Sequence, residues 1–324
     1  MTGDGGYFAL RDDLGALAVE RDVVRVAGPD AESYLQGQTS QDIAKLQAGE
    51  SAWALVLQPQ GKLDAFVRVN KVEPAEFYLD TDAGTGAQLV ARLQRFKLRT
   101  KADIDQLDWR AVAVRGPAAA AGAPERSDGV ALVARFEWGG MTGYDLLGPG
   151  PALPPGAVSV QVGAYEAGRI EAGFPRHGAE LDDRTIPAEA GLVEASVSFT
   201  KGCYTGQELV ARIDSRGSNV PRRLRALVLS GPAAARARLH RQGAEAVDVP
   251  DAEGFPEPAE PAVQPRAARA DDKEVGRLTS VAWSPRLGWV ALGYVSRGVG
   301  VGSTLLARDD QGEAEARVEL LPVT

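Results

Sequence analysis

Lys201-Gly202-Cys203-Tyr204-Thr205-Gly206-Gln207-Glu208-Leu209-Val210-Ala211-Arg212 holds the one cysteine of a 324-residue chain. Thr205-Gly206-Gln207-Glu208 has capping-box spacing ahead of Leu209, Val210 and Ile213. It predicts a helix capped by Thr205, with Glu208 reaching back to the backbone N–H. Cys203 then stands two residues before the cap, where unpaired N–H groups and the positive end of the helix dipole favour thiolate. Lys201 adds a cation two residues away. The plainer alternative is a small buried hydrophobe, with Thr205 and Glu208 serving only as a cap and Lys201 and Tyr204 as surface residues. The residues alone leave both open.

Working outward, the counts remove several chemistries. One cysteine forbids an intrachain disulfide. With His177 and His240 it makes three thiolate or imidazole candidates, one short of a structural zinc site of that type, so no metal site is expected. No G-x-x-x-x-G-K-[ST] loop and no G-x-S-x-G elbow occurs. Hydrophobic residues make up 44% and charged residues 25%, a globular balance, and the formal net charge is −8. That charge gives no reason to expect direct nucleic-acid binding. The basic run Arg92, Arg95, Lys97, Arg99, Lys101 reads as a solvated helix end. No apolar run is long enough to span a bilayer. Met1–Leu10 lacks the pattern of a signal peptide. A cytoplasmic protein without membrane association is expected.

The chain reads as mixed α+β before Gly217 and strand-dominated after it. Strands are predicted over Val23–Val26, Ala52–Leu57, Leu63–Val69, Phe77–Leu79, Ile104–Leu107, Ala111–Val114, Val130–Phe136 and Tyr144–Leu147. Gln58-Pro59-Gln60-Gly61 has hairpin-turn chemistry. A helix opening at Gly28-Pro29-Asp30 carries Tyr34 and Leu35 and stops at Gly37. A short one follows with Ser40 as N-cap. Leu89, Leu93 and Phe96 mark a third helix, and Ala164–Ala172 a fourth, ended by Gly173 and Pro175. Ala118–Arg126 reads as a loop. Residues 244–272 read as a low-complexity, mobile insertion. The last third, with strands from Leu224 to Leu321, reads as a small β-barrel or sandwich, with a boundary near Asn219–Pro221.

The segment 201–212 resembles the K-G-C-[YF]-x-G-Q-E-x-x-[AS]-R signature of the YgfZ family. That family contains a bacterial folate-dependent tRNA-modifying protein and a mitochondrial iron–sulfur assembly relative. Gly168-Arg169-Ile170-Glu171-Ala172-Gly173-Phe174-Pro175 through Leu181 resembles a segment shared with the tetrahydrofolate-dependent T-protein of glycine cleavage. Val275–Ser280, Ser284-Pro285 and Ala291–Val295 are similar to the same superfamily's barrel domain.

The resemblance implies an α+β, three-domain, aminomethyltransferase-like folate-binding fold with a C-terminal β-barrel. Residues 1–46 and 108–217 would form a discontinuous folate-binding domain, 47–107 an αβ domain and 221–324 the barrel. It implies tetrahydrofolate or a one-carbon derivative as cofactor, and iron–sulfur proteins or their assembly factors as partners. Glu171 becomes the carboxylate for the pterin edge, and Arg212 or Arg169 the cation for the glutamyl tail. Tyr204, Trp53 or Tyr34 could stack on the rings or serve as core, and Gln207 joins the ligand set through the motif. Cys203, assisted by Lys201, becomes a thiolate ligand or nucleophile. Asp64 matches the first of two adjacent aspartates in a catalytic segment of the T-protein, and Ala65 stands at the second. Two activities follow: an accessory role in iron–sulfur assembly or repair that supports tRNA modification, or an aminomethyl transfer. A scaffold with a vestigial pocket is the third reading.

Overall fold

The computed structural model describes residues 4–122, 128–217, 219–241, 273–310 and 312–323. The expected loop 118–126 begins as a short helix, Pro117–Ala121; residues 123–127, like the whole 244–272 insertion, lie outside the described residues.

Three sheets organise the chain. The first has the order Val158–Ser159, Gly15–Val19, Arg110–Arg115, Met141–Gly148, Leu132–Trp138. The second has the order Ser51–Leu57, Leu63–Glu73, Glu76–Asp82, Arg21–Ala27, Asp103–Leu107. The third is a closed six-stranded barrel running Arg222–Leu229, Gly288–Ser296, Glu274–Ser284, Arg238–Arg241, Thr304–Asp309, Gly312–Glu319. Closure leaves the barrel no unpaired edge.

Residues 1–46 do not stay together. Gly15–Val19 pairs with Arg110–Arg115 in the first sheet, but Arg21–Ala27 pairs with Glu76–Asp82 in the second. The chain changes sheets at Glu20, twenty-six residues earlier than the boundary expected at 46/47 (46 − 20 = 26). The reason is packing. Val24, Val26, Ala31, Tyr34, Leu35 and Ile43 fill the same core as Val67, Phe77, Leu79 and Leu93. Ser40 is not a helix cap. Its hydroxyl is buried, accepts from Leu55 N at 2.8 Å and donates to Ser196 O at 2.5 Å, so it ties the second sheet to the segment leading to Cys203.

The helix Val162–Ala172 joins the units. It ends at Gly173 (φ 69°), a left-handed position suited to glycine, and turns the chain into Phe174. One face lies against barrel strand Glu274–Ser284. The core around it draws on Phe136 from the first sheet, Leu55 and Phe66 from the second, and Leu292 and Tyr294 from the barrel.

Candidate functional site

Where the two sheets meet this helix, the walls enclose a cavity of about 690 Å³, in the range of small-molecule sites. One wall is aromatic. Trp53 stacks on Phe66 with centroids 4.8 Å apart, and Phe136, Trp138 and Phe174 surround it. The rest of the lining includes the charged residues Arg21, Asp82, Arg115, Asp145, Glu166, Arg169 and Arg176.

Part of that lining belongs to a ladder of alternating charges that no sequence motif announced. Arg115 pairs with Asp145 at 2.8 Å, Asp145 with Arg68 at 2.8 Å, and Arg68 with Asp80 at 2.9 Å. Arg21 then bridges Asp80 at 2.5 Å and Asp82 at 2.9 Å. Arg68 and Asp80 are both almost wholly buried. Burial pushes the Asp80 carboxyl up, but Arg68 and Arg21 more than reverse this and hold it far below the usual range. Asp145 follows the same logic: burial raises it, and Arg115 and Arg68 bring it below its ordinary value. The ladder crosses from the first sheet to the second and fixes both against the cavity. The Nε atoms of Arg21 and Arg115 are buried without a hydrogen-bond partner among the described residues. The only trace in the sequence is a charge set inside an apolar strand, as in Val67-Arg68-Val69, Leu79-Asp80-Thr81 and Tyr144-Asp145-Leu146.

Arg169 lines the cavity, yet its five N–H groups are all engaged. Nε and Nη2 hold Glu166, Nη1 reaches Phe174 O at 2.7 Å and Glu180 at 3.0 Å, and Nη2 donates to Ser280 at 2.7 Å. Ser280 in turn donates to Glu180 at 2.6 Å. Arg169 therefore bolts the helix to the barrel and has no donor to spare for a glutamyl tail. Arg176, with a side chain 48% exposed, is the more accessible cation on the lining.

Glu171 is turned away from this cavity. It lies five residues after Glu166, about 140° round the helix. Its carboxylate accepts from Tyr7 at 2.7 and 2.8 Å, from Arg11 at 2.8 Å and from Arg286 at 3.3 Å. Asp64 is not on the cavity either. It pairs with Arg92 at 2.8 Å beside a separate hollow of about 470 Å³ next to the turn Gln58–Gly61.

The Cys203 segment differs from its expected form. The helix runs Gln207–Ser215, and the residue before it, Gly206, is left-handed (φ 82°). No side-chain cap bond forms, so Thr205 is not the cap, and Cys203 lies four residues before the first helical residue. Close packing decides this. A Cβ on Gly206 would stand 2.4 Å from Gln58 O, and one on Gly61 would stand 2.4 Å from Leu209 Cβ. The two glycines let the helix start nest against the hairpin turn. Gln207 accepts from Tyr204 N at 3.1 Å through its side chain, which closes the bend.

Lys201 anchors the other end. Its Nζ donates to the carbonyls of Gln36 at 2.5 Å, Thr39 at 2.6 Å and Gln41 at 3.0 Å, at the C-terminal end of the helix Ala31–Gln38. A cation suits that end of a helix. Burial pushes the ammonium down to about 8, with Asp42 drawing it partly back. All three donors are used, so Lys201 positions the segment and has none left for Cys203. Tyr204 lies under Lys201, 5.2 Å from ring centre to Nζ, and burial raises its hydroxyl to about 12. Cys203 itself is exposed and free. Arg212 is exposed on the following helix.

Of the expected ligand and reactive residues, Trp53 and Arg169 line the central cavity, while Cys203, Tyr204, Gln207, Arg212, Asp64 and Glu171 do not. Among the described residues no group of three or more His, Cys, Asp or Glu is arranged to hold a metal ion, and no helix is long and apolar enough to cross a membrane.

Residues 18–146 match the family model of the GCVT N-terminal domain. An uncharacterized protein of Haemophilus influenzae is 30% identical over 199 residues, covering 61% of this chain and 67% of that protein. The mitochondrial iron–sulfur cluster assembly factor IBA57 of Mus musculus is 31% identical over 235 residues, covering 65% of each, so the chain spans a little under two thirds of that relative's length. The crystal structure of glycine cleavage system aminomethyltransferase T from Bartonella henselae superposes with a TM-score of 0.76 at 20% identity, covering 98% of this chain and 88% of that one. The fold is therefore aminomethyltransferase-like, with a C-terminal six-stranded barrel.

Proposed function

We propose that this chain, which belongs to the GCVT-domain family, binds tetrahydrofolate or a one-carbon derivative in the central cavity and serves the assembly or repair of iron–sulfur proteins through Cys203. Support for tRNA modification would follow from that service, and the cytoplasm is its proposed place.

The observation that carries this reading is the exposed thiol on a segment secured on both sides, by Lys201 before it and by Gly206 after it. A thiol on such a mount can meet a partner without the chain rearranging. One cysteine supplies one ligand, so a partner or a small thiol must supply the others to any cluster it touches. The cavity suits the folate half. Trp53 contributes aromatic lining, Glu166 is a part-exposed carboxylate for a guanidine-like pterin edge, and the half-exposed Arg176 is a cation for the negative tail. The mouse relative's name supplies the iron–sulfur connection.

Asp64 separates this reading from aminomethyl transfer. Its carboxylate is committed to Arg92 away from the cavity, and its neighbour Ala65 carries no acid.

The test is complementation of a strain lacking this protein, read as activity of its iron–sulfur enzymes. Wild type should restore it, and Cys203→Ala should not, while folate titration and thermal midpoint of the variant match wild type. Full restoration by Cys203→Ala would overturn the role of the thiol.

A further inference from the structure

On the far side of the helix Val162–Ala172 from the central cavity lies a smaller one of about 340 Å³. Its charged lining residues are Arg11, Glu171 and Arg286, two cations to one anion. The carboxylate is buried, and both guanidinium groups reach the same oxygen, Oε2, Arg11 at 2.8 Å and Arg286 at 3.3 Å. Tyr7 donates to both oxygens. Glu171 is thus engaged at both oxygens, while most N–H groups of the two arginines are not. Arg11 gives Glu171 one of its five N–H groups, and its side chain stays 38% exposed. Arg286 spends Nη2 on Glu171 and on Val323 O at 3.1 Å, and is 32% exposed.

This arrangement is donor-rich, carries one net positive charge, and has room above it. Glycines 116, 139, 140 and 168 keep the walls low, and Leu10 and Met141 supply an apolar side. A buried carboxylate beneath two arginines aligns their planes, as a supporting acid does for a ligand-binding cation. Chloride would leave most of the fork geometry unused, whereas a planar or tetrahedral oxyanion matches it bidentately.

We propose that Arg11 and Arg286, set by Glu171, form a second ligand site that takes a small carboxylate or phosphate anion. The site is independent of the folate reading, since it shares no lining residue with the central cavity.

Calorimetric titration of the full chain with succinate and, separately, with inorganic phosphate tests it. Saturable binding of either probe is expected, and the two arms tell a carboxylate site from a phosphate site. Arg11→Gln should weaken the binding about tenfold or more, since a charge-assisted bond is lost. Arg286→Gln should do the same, which keeps the test valid if one variant folds poorly by circular dichroism. Arg135→Gln, at an exposed ion pair in the first sheet, should leave it unchanged. Absence of saturable binding by both probes, or equal binding by wild type and both site variants, would overturn the proposal. Displacement of bound succinate or phosphate by a reduced folate would also overturn it, by making the two cavities one site.

Discussion

The charge ladder and the Cys203 segment hold polar groups in place by opposite means. The ladder uses full charges against full charges in a largely buried cavity wall, three arginines and three aspartates, each needing its neighbours. The Cys203 segment uses one cation against uncharged carbonyls and two glycines against each other's backbone, and leaves its thiol exposed. The first builds a wall that cannot change one residue at a time. The second builds a mount from which the thiol can be removed without disturbing its support. Tolerance to substitution should therefore run opposite ways in the two regions.

The hardest blow to that contrast would come from the ladder. Asp80→Ala strands Arg68 and Arg21 in the interior and should cost about 3–5 kcal/mol in urea unfolding. A loss under about 1 kcal/mol would mean the arginines find other partners and the wall is softer than described. The same carboxylates give an acid signature. Asp80 and Asp145 are held below their ordinary value of 3.8 in the folded chain. Folding then releases protons relative to the unfolded chain, so their contribution is complete above pH about 4 and fades as pH falls below it. Asp80→Ala should flatten that fall, and an unchanged slope would put the acid-sensitive groups elsewhere.

A middle-sized effect belongs to the mount. Gly206→Ala places a methyl group 2.4 Å from Gln58 O on a left-handed backbone, and should cost about 1–3 kcal/mol. Limited proteolysis within 201–207 should quicken in the variant, and no change in either measure would mean the turn 58–61 yields freely. The smallest expected effect sharpens the contrast most. Cys203→Ala should change stability by under about 0.5 kcal/mol, because the thiol is exposed and in no disulfide.

Much of the fold was legible. Period-two and period-3.6 patterns placed most strands and the helices Gly86–Phe96 and Val162–Ala172 close to their observed ends. Gly173 and Pro175 marked a real helix stop. What escaped depends on contacts remote in sequence. The strand Arg21–Ala27 carries no sign of which sheet it will join, and tertiary packing decides it. Thr205 had the chemistry of a cap, but Gly206 fits the hairpin turn only in a left-handed turn, and that contact overrode local preference. Glu171 and Glu166 share a helix, and only the neighbours of each face reveal that one supports Arg11 and Arg286 while the other borders the large cavity. The ladder was present as isolated charges in apolar strands, and pairing across two sheets gave them meaning.

The single exposed cysteine has a practical side. With one cysteine in 324 residues, any disulfide this chain forms joins it to another molecule. A non-reducing gel therefore reads as a register of encounters: a band at twice the mass is self-association, a small mass gain is a low-molecular-weight thiol, and anything else is a covalently trapped companion. The same lone thiol accepts a maleimide probe at one known address, so labelling reports on this surface alone.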